Sequence, residues 1–231
     1  MSHWTLAERR KSGIALWDMP GRQPVADPGG PIVMVGGGGQ GRNLPCKAVP
    51  EALLPGEGGG WLFPPLTWDG QNSDGAEAAI AGYATAHPNW DGVLCILGDS
   101  TVWAHVSAGE VISFQRFVTA QLAAALEVSA DWDEARQRAA LADAMARPER
   151  LAAYIARAGD AGTLWGALLG AELAAARPYW LGQQVVVVGE GRVADALESA
   201  LQEQGVPVTR GDRMELMLDG VAAAVSAHGG V

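Results

Sequence analysis

The chain is poor in the residues that build covalent and metal scaffolds. Two cysteines, Cys46 and Cys95, make no disulfide framework, and Cys95 lies inside an apolar run where a buried thiol is expected. Four histidines, His3, His87, His105 and His228, are scattered without metal-ligand spacing, so no metal site is expected. There is no run of Lys or Arg, and the formal net charge is -10, which repels phosphate backbones and argues against a nucleic-acid partner. No stretch approaches the roughly 18 apolar residues of a membrane span. Met1 to Lys11 is polar and charged with no apolar segment behind it, so neither a signal peptide nor a membrane role is expected, and the expected compartment is the cytoplasm. No G-x-S-x-G elbow and no repeat period occur.

What is present is a globular composition, 48% hydrophobic over 231 residues, with room for one large or two modest domains. Residues 1–30 promise little order: a short helix over Thr5 to Lys11, then breaks at Pro20, Pro24 and Pro28. Pro31 to Val35 reads as a buried strand, and residues 42–72 as Pro- and Gly-rich loop with a short strand at Trp61 to Phe63. A helix is expected over Asp74 to His87. Then follow strands at 92–97, 102–106 and 111–114, joined by turns at Gly98-Asp99-Ser100-Thr101 and Ala108-Gly109. Helices are expected over 115–127 and through 131–176, broken at Pro148 and near Gly159. Val185 to Val188, a β-branched run, reads as a strand covered on both faces. Arg192 to Gln204, Val206 to Thr209 and Asp212 to Ala227 complete a helix, a strand and a helix. The sum is α/β with a mixed sheet.

Three glycine-bearing turns invite ligand readings. Gly36, Gly37, Gly38 and Gly39 follow a strand, and with Gly41 satisfy G-x-G-x-x-G. But Arg42-Asn43-Leu44-Pro45 is a poor helix start and lacks the Lys and Ser/Thr of a P-loop. A flexible or ligand-facing loop is the better reading. Gly189-Glu190-Gly191-Arg192-Val193-Ala194 follows a strand and opens a helix; it reads either as a tight turn or as a turn over a nucleotide's base or ribose. Gly98-Asp99-Ser100-Thr101 can aim amides and two hydroxyls at a phosphate, with Asp99 holding Mg²⁺ through water, or can be a bare hairpin turn. Asp74 and Glu77 at a helix start are a candidate general base, or a cap and a dipole partner.

In order and spacing the chain resembles the 2-dehydro-3-deoxygalactonokinase family (2-keto-3-deoxy-galactonokinases) from about Pro31 onward. The strongest stretch is Val93 to Leu122, which keeps Gly98, Trp103, Phe114 and Thr119. Gly166-Ala167-Leu168-Leu169-Gly170-Ala171-Glu172 is similar to the family's G-L-L-I-G-A-E helix. Val187-Val188-Gly189 and Asp219-Gly220-Val221 follow in order.

The resemblance implies an actin-like ATPase (ribonuclease H-like) sugar-kinase fold. It divides the chain into an incomplete N-terminal domain, 1–88, and a C-terminal α/β domain, 89–231. It implies ATP, Mg²⁺ and phosphoryl transfer to a 2-keto-3-deoxy sugar acid. Gly98, Ser100 and Thr101 would face the phosphates, Gly189 and Gly191 the nucleoside, and Gly36 to Gly39 the sugar, with Asp99 or Glu77 as the catalytic carboxylate. A homodimer is compatible with it.

The departures carry as much information. The family's opening D-W-G-S/T-N hairpin finds no counterpart before Pro31. Its R-G-E-E appears as Asp74-Gly75-Ala76-Glu77, its G-T-H-x-K as Gly98 to Val102, and its T-G-E as Thr119-Ala120-Gln121. These losses of charged groups raise a second reading, a pseudokinase that binds a metabolite or a partner.

Overall fold

The computed structural model describes residues 3–231; Met1 and Ser2, the start of the expected first domain, lie outside the described residues. The N-terminal segment forms strands, not the expected helix and coil: β1 (Trp4–Arg10), β2 (Gly13–Met19) and β3 (Gln23–Val25). Trp4 and Leu6 alternate with Thr5 and Ala7, and Trp17 and Met19 lie across from them in register, so period two wins over the helix suggested by the charged tail. Next come β4 (Ile32–Val35) and the short strands β5 (Arg42–Asn43), β6 (Cys46–Lys47), β7 (Leu54–Pro55), β8 (Trp61–Leu62), β9 (Leu66–Trp68) and β10 (Gln71–Asn72). Helix α1 spans Ala76–Ala86. A meander β11 (Gly92–Ile96), β12 (Thr101–Ser107) and β13 (Glu110–Phe117) follows. The helical stretch holds α2 (Thr119–Ala125), α3 (Glu134–Ala146), α4 (Leu151–Ile155), α5 (Ala161–Ala175) and α6 (Arg177–Trp180). The chain closes with β14 (Val185–Val188), α7 (Arg192–Glu203), β15 (Val208–Gly211) and α8 (Arg213–His228). Gln115 and Arg116, expected in a helix, pair with β12 instead, and the helix starts at Thr119.

The two large sheets share one plan. In the first, ordered β3-β2-β1-β4-β8-β7, an antiparallel meander is extended by β4 parallel to β1 and β8 parallel to β4. In the second, ordered β15-β14-β11-β12-β13-β6, the meander β11-β12-β13 is extended by β14 parallel to β11 and β15 parallel to β14. The first sheet therefore shares the plan of the second, and a hairpin, β1-β2, stands before Pro31 where none was expected. The turn of that hairpin, Lys11-Ser12, carries none of the D-W-G-S/T-N chemistry.

Helices α1 and α8 form a middle layer. Ala79, Ile80 and Tyr83 of α1 pack on the second sheet, while Ala78 and Ala81, with Met217, Val221 and Val225 of α8, pack on Trp4, Leu6, Val33 and Val35 of the first. Helices α5, α6 and α7 bury the far face of the second sheet around Trp103, Val185 and Val187. The far face of the first sheet has no such cover: no helix is inserted between β3 and β4 or between β4 and β8, and Ile14, Leu16, Ile32 and Met34 there are exposed or half-buried. Among the described residues no helix is long and apolar enough to cross a membrane.

The middle layer closes at two glycines. A Cβ added at Gly82 would lie 1.9 Å from the Leu216 carbonyl oxygen, and one added at Gly220 would lie 1.9 Å from that of Ala78. The obstacle is backbone in both cases, so the helices would have to separate. Gly82→Ala or Gly220→Ala is expected to destabilise the protein by about 3 kcal/mol. Gly159→Ala, which meets nothing within 4 Å, is expected to stay within about 0.5 kcal/mol. Urea denaturation of the three variants checks this.

Candidate functional site

The parallel strands of both sheets point their carboxyl ends at one cleft, where ligands of open α/β sheets bind. The cleft has a volume of about 740 Å³. The end of β1 brings Glu8, Arg9 and Arg10; the turn after β11 brings Leu97, Gly98 and Asp99; the turn after β14 brings Gly189 and Glu190; and β15 with the start of α8 brings Arg210 to Met214. Asp74 enters from the start of α1.

Charge in the cleft is largely paired. Glu8, 1% exposed, accepts from Arg10 Nε at 2.6 Å and from Arg213 Nη2 at 2.5 Å. Arg210 is held by Asp195 at 2.9 Å, Glu198 at 3.0 Å and the Gly189 carbonyl at 2.8 Å. Asp74, at a left-handed φ of 51°, accepts from Ser100 Oγ at 2.6 Å and pairs with Arg116 at 3.4 Å. Arg9 is exposed and has no such partner among the described residues. The tips of the two sheets touch: the Lys11 backbone amide donates to Asp99 Oδ2 at 2.6 Å. The Nε of Arg213 is buried without a partner, a donor left for an anion.

The structure divides the residues read from sequence. Gly98, Asp99 and Gly189 line the cleft. Gly191, with φ 80°, serves as the residue before α7 and does not line it. Ser100 and Thr101 are buried at the head of β12, Ser100 between Asp74 and Gln121, so their hydroxyls serve the protein's own network and face no phosphate. Glu77 is 1% exposed; Ser73 Oγ and the Gly75 amide donate to its Oε2, and burial pushes its carboxyl above the ordinary range against the pull of those donors. A sealed carboxyl that clamps the start of α1 matches the other reading of Glu77, a partner of the helix start. Gly36 packs against the Arg9 carbonyl and Gly75, whereas Gly37 and Gly39 border a separate cavity on the far face of the first sheet.

The residues that sequence reasoning missed are Glu8, Arg9, Arg10, Arg210 and Arg213. The alternation of Trp4 and Leu6 with Trp17 and Met19 about Gly13 is the feature that locates the first three at a strand end. Among the described residues no group of three His, Cys, Asp or Glu is placed to hold a metal.

Comparison with known proteins fits this architecture. The sequence model of the 2-keto-3-deoxy-galactonokinase family matches residues 61–146 and 128–224. No curated protein sequence matches. Among solved structures, the crystal structure of a protein described as a 2-dehydro-3-deoxygalactonokinase, from Sinorhizobium meliloti, superposes with a TM-score of 0.79 at 17% identity, covering 97% of this chain and 98% of that one. At that identity the likeness shows the fold.

The buried state of Glu77 has a pH signature. Its carboxyl titrates higher in the folded than in the unfolded chain, so its contribution is most favourable below the unfolded value of about 4.5 and is lost as pH rises toward the folded value. Glu77→Gln is expected to flatten that part of the stability profile and to leave ligand binding in the cleft unchanged. Thermal unfolding across pH, with a binding titration of each form, checks both.

Proposed function

The chain belongs to the 2-keto-3-deoxy-galactonokinase family, and on that premise we propose that its cleft is the nucleotide site of an actin-like ATPase fold that phosphorylates a 2-keto-3-deoxy sugar acid with ATP. The observation that carries this reading is one cleft bounded by the end of β1, by the turn after β11 and by the ends of β14 and β15. The repeated sheet plan around α1 and α8 supports the fold assignment, with lobes at 1–88 and 89–231 and α8 lent back to the first lobe. The groups present fit a phosphate: Gly98 and Gly189 leave backbone open to an approaching anion, and the partnerless Arg213 Nε faces Gly98. They fit Mg²⁺ through one carboxylate, Asp99, which suffices when phosphate oxygens and water complete the shell. Mg-ATP supplies the transferable phosphoryl group; the protein's part is positioning and charge. Arg213 would orient the phosphates, and Asp99, an exposed carboxylate of the cleft, would take the acceptor hydroxyl proton.

One observation favours a second reading, a pseudokinase. Asp99 already accepts the Lys11 amide, a donor of the kind a phosphate uses, and Glu8 is neutralised by two arginines. The family's R-G-E-E positions are Asp74, Gly75, Ala76 and the sealed Glu77. On this reading Asp99 holds the turn in place of a phosphate.

Calorimetric titration of Mg-ATP into the wild type and Asp99→Asn, with a turnover assay on a 2-keto-3-deoxy sugar acid, separates the two. The kinase reading expects saturable binding, turnover, and a loss of at least about 100-fold in kcat for Asp99→Asn. A wild type without turnover, in which Asp99→Asn tightens Mg-ATP by about tenfold, establishes the second. No binding to either protein at millimolar Mg-ATP overturns the kinase reading and leaves the second, as a metabolite- or partner-binding module, standing.

A further inference from the structure

The far face of the first sheet carries a cavity of about 520 Å³ that the kinase reading does not use. It exists because no α-helix lies between β3 and β4 or between β4 and β8 to cover this face. Two glycine-rich segments, Gly36–Gly39 and Gly56–Gly60, face each other across it. Its floor is Ile32, Met34 and Leu62. Gly37 and Gly39 lie so close to that floor that an added Cβ would come within 2.7 Å and 2.6 Å of the Leu62 methyl carbons. The walls are therefore backbone and the floor is aliphatic.

Arg9 stands at the rim, where this cavity meets the cleft. Among the described side chains it is the only ionisable group lining the cavity. It is also the cleft arginine without a carboxylate partner among the described residues, whereas Arg10, Arg210 and Arg213 are each held. A polyhydroxylated acid needs a polar partner for each hydroxyl it buries, and an aliphatic floor supplies none. An apolar body with one anionic end matches the surface present, in a cavity of the usual ligand-binding size.

We propose that this cavity binds a small amphiphilic monocarboxylate, its chain on Ile32, Met34 and Leu62 and its carboxylate on Arg9. The assignment stands apart from the nucleotide reading and is an alternative to a sugar facing Gly36 to Gly39. The test is calorimetry on the full chain with hexanoate, octanoate, octanol and gluconate. Affinity is expected to rise about fourfold for each methylene from hexanoate to octanoate, with gluconate silent. Arg9→Gln is expected to weaken octanoate at least about tenfold while leaving octanol unchanged. Ile32→Thr is expected to weaken octanoate and octanol alike. Gluconate displacing octanoate, octanol matching octanoate, or Arg9→Gln without effect each overturns the proposal. Mg-ATP titrated into the same proteins reports on the cleft separately, so failure there leaves the octanoate result standing.

Discussion

The architecture depends on one close approach, the crossing of α1 and α8 at Gly82 and Gly220. Each glycine lies against the partner helix's backbone, and the two contacts are reciprocal: Gly82 meets Leu216, and Gly220 meets Ala78. A two-helix layer this thin lets both sheets pack on it, with α1 and α8 each offering one side to each sheet. Hydrophobic burial supplies the driving force, but steric permission at two positions sets the distance. A second pair uses the same device: Gly166 and Gly170 of α5 bring it against the Gln137 and Leu141 carbonyls of α3.

Because the sheets share a plan and face one layer, their parallel strands end on the same side and the cleft follows from topology. The chain then spends its charges on itself there. Glu8 sits between Arg10 and Arg213, and Arg210 is held by Asp195 and Glu198. Buried or half-buried pairs of this kind fix geometry more than they add stability. What stays exposed to a ligand is a short set of groups: Arg9, Asp99, Glu190 and the backbone around Gly98 and Gly189.

The second sheet and its helices were legible because each element there is locally consistent. The meander from Gly92 has alternation and turns, the Val185 to Val188 run has β-branched density, and α7 and α8 have caps or closing glycines. The first sheet was not, because β1 with the residue after it ends in Glu-Arg-Arg-Lys, which imitates a helix, and its parallel partner β4 lies beyond Pro20, Pro24, Pro28 and Pro31. Of the site, the turns at Gly98 and Gly189 were legible from glycine and strand context. The burial of Glu77, Ser100 and Thr101 was not, since only tertiary contacts decide which way a residue at an element's start faces. The residues that carried the family resemblance turn out to be neighbours: Trp103 Nε1 donates to Glu172 at 2.9 Å, and Thr119 donates to the same carboxylate. What the sequence preserved most visibly is a buried polar knot behind the cleft, its Glu172 carboxyl raised above the ordinary range chiefly by burial.

The ion pair between Glu8 and Arg213 joins residues 205 positions apart. Such separation makes it late to form, since closing long loops is slow and a chain emerges from the N-terminal side first. Until α8 has been made, the first sheet has neither the face that covers Leu6 and Val33 nor the guanidinium that Arg213 brings to Glu8. A chain cut short before α8 would leave an open strand meander with an apolar face on each side. The docking of α8 thus acts as the closing step of the first sheet's assembly, and nascent chains of this architecture are at their most adhesive until it arrives.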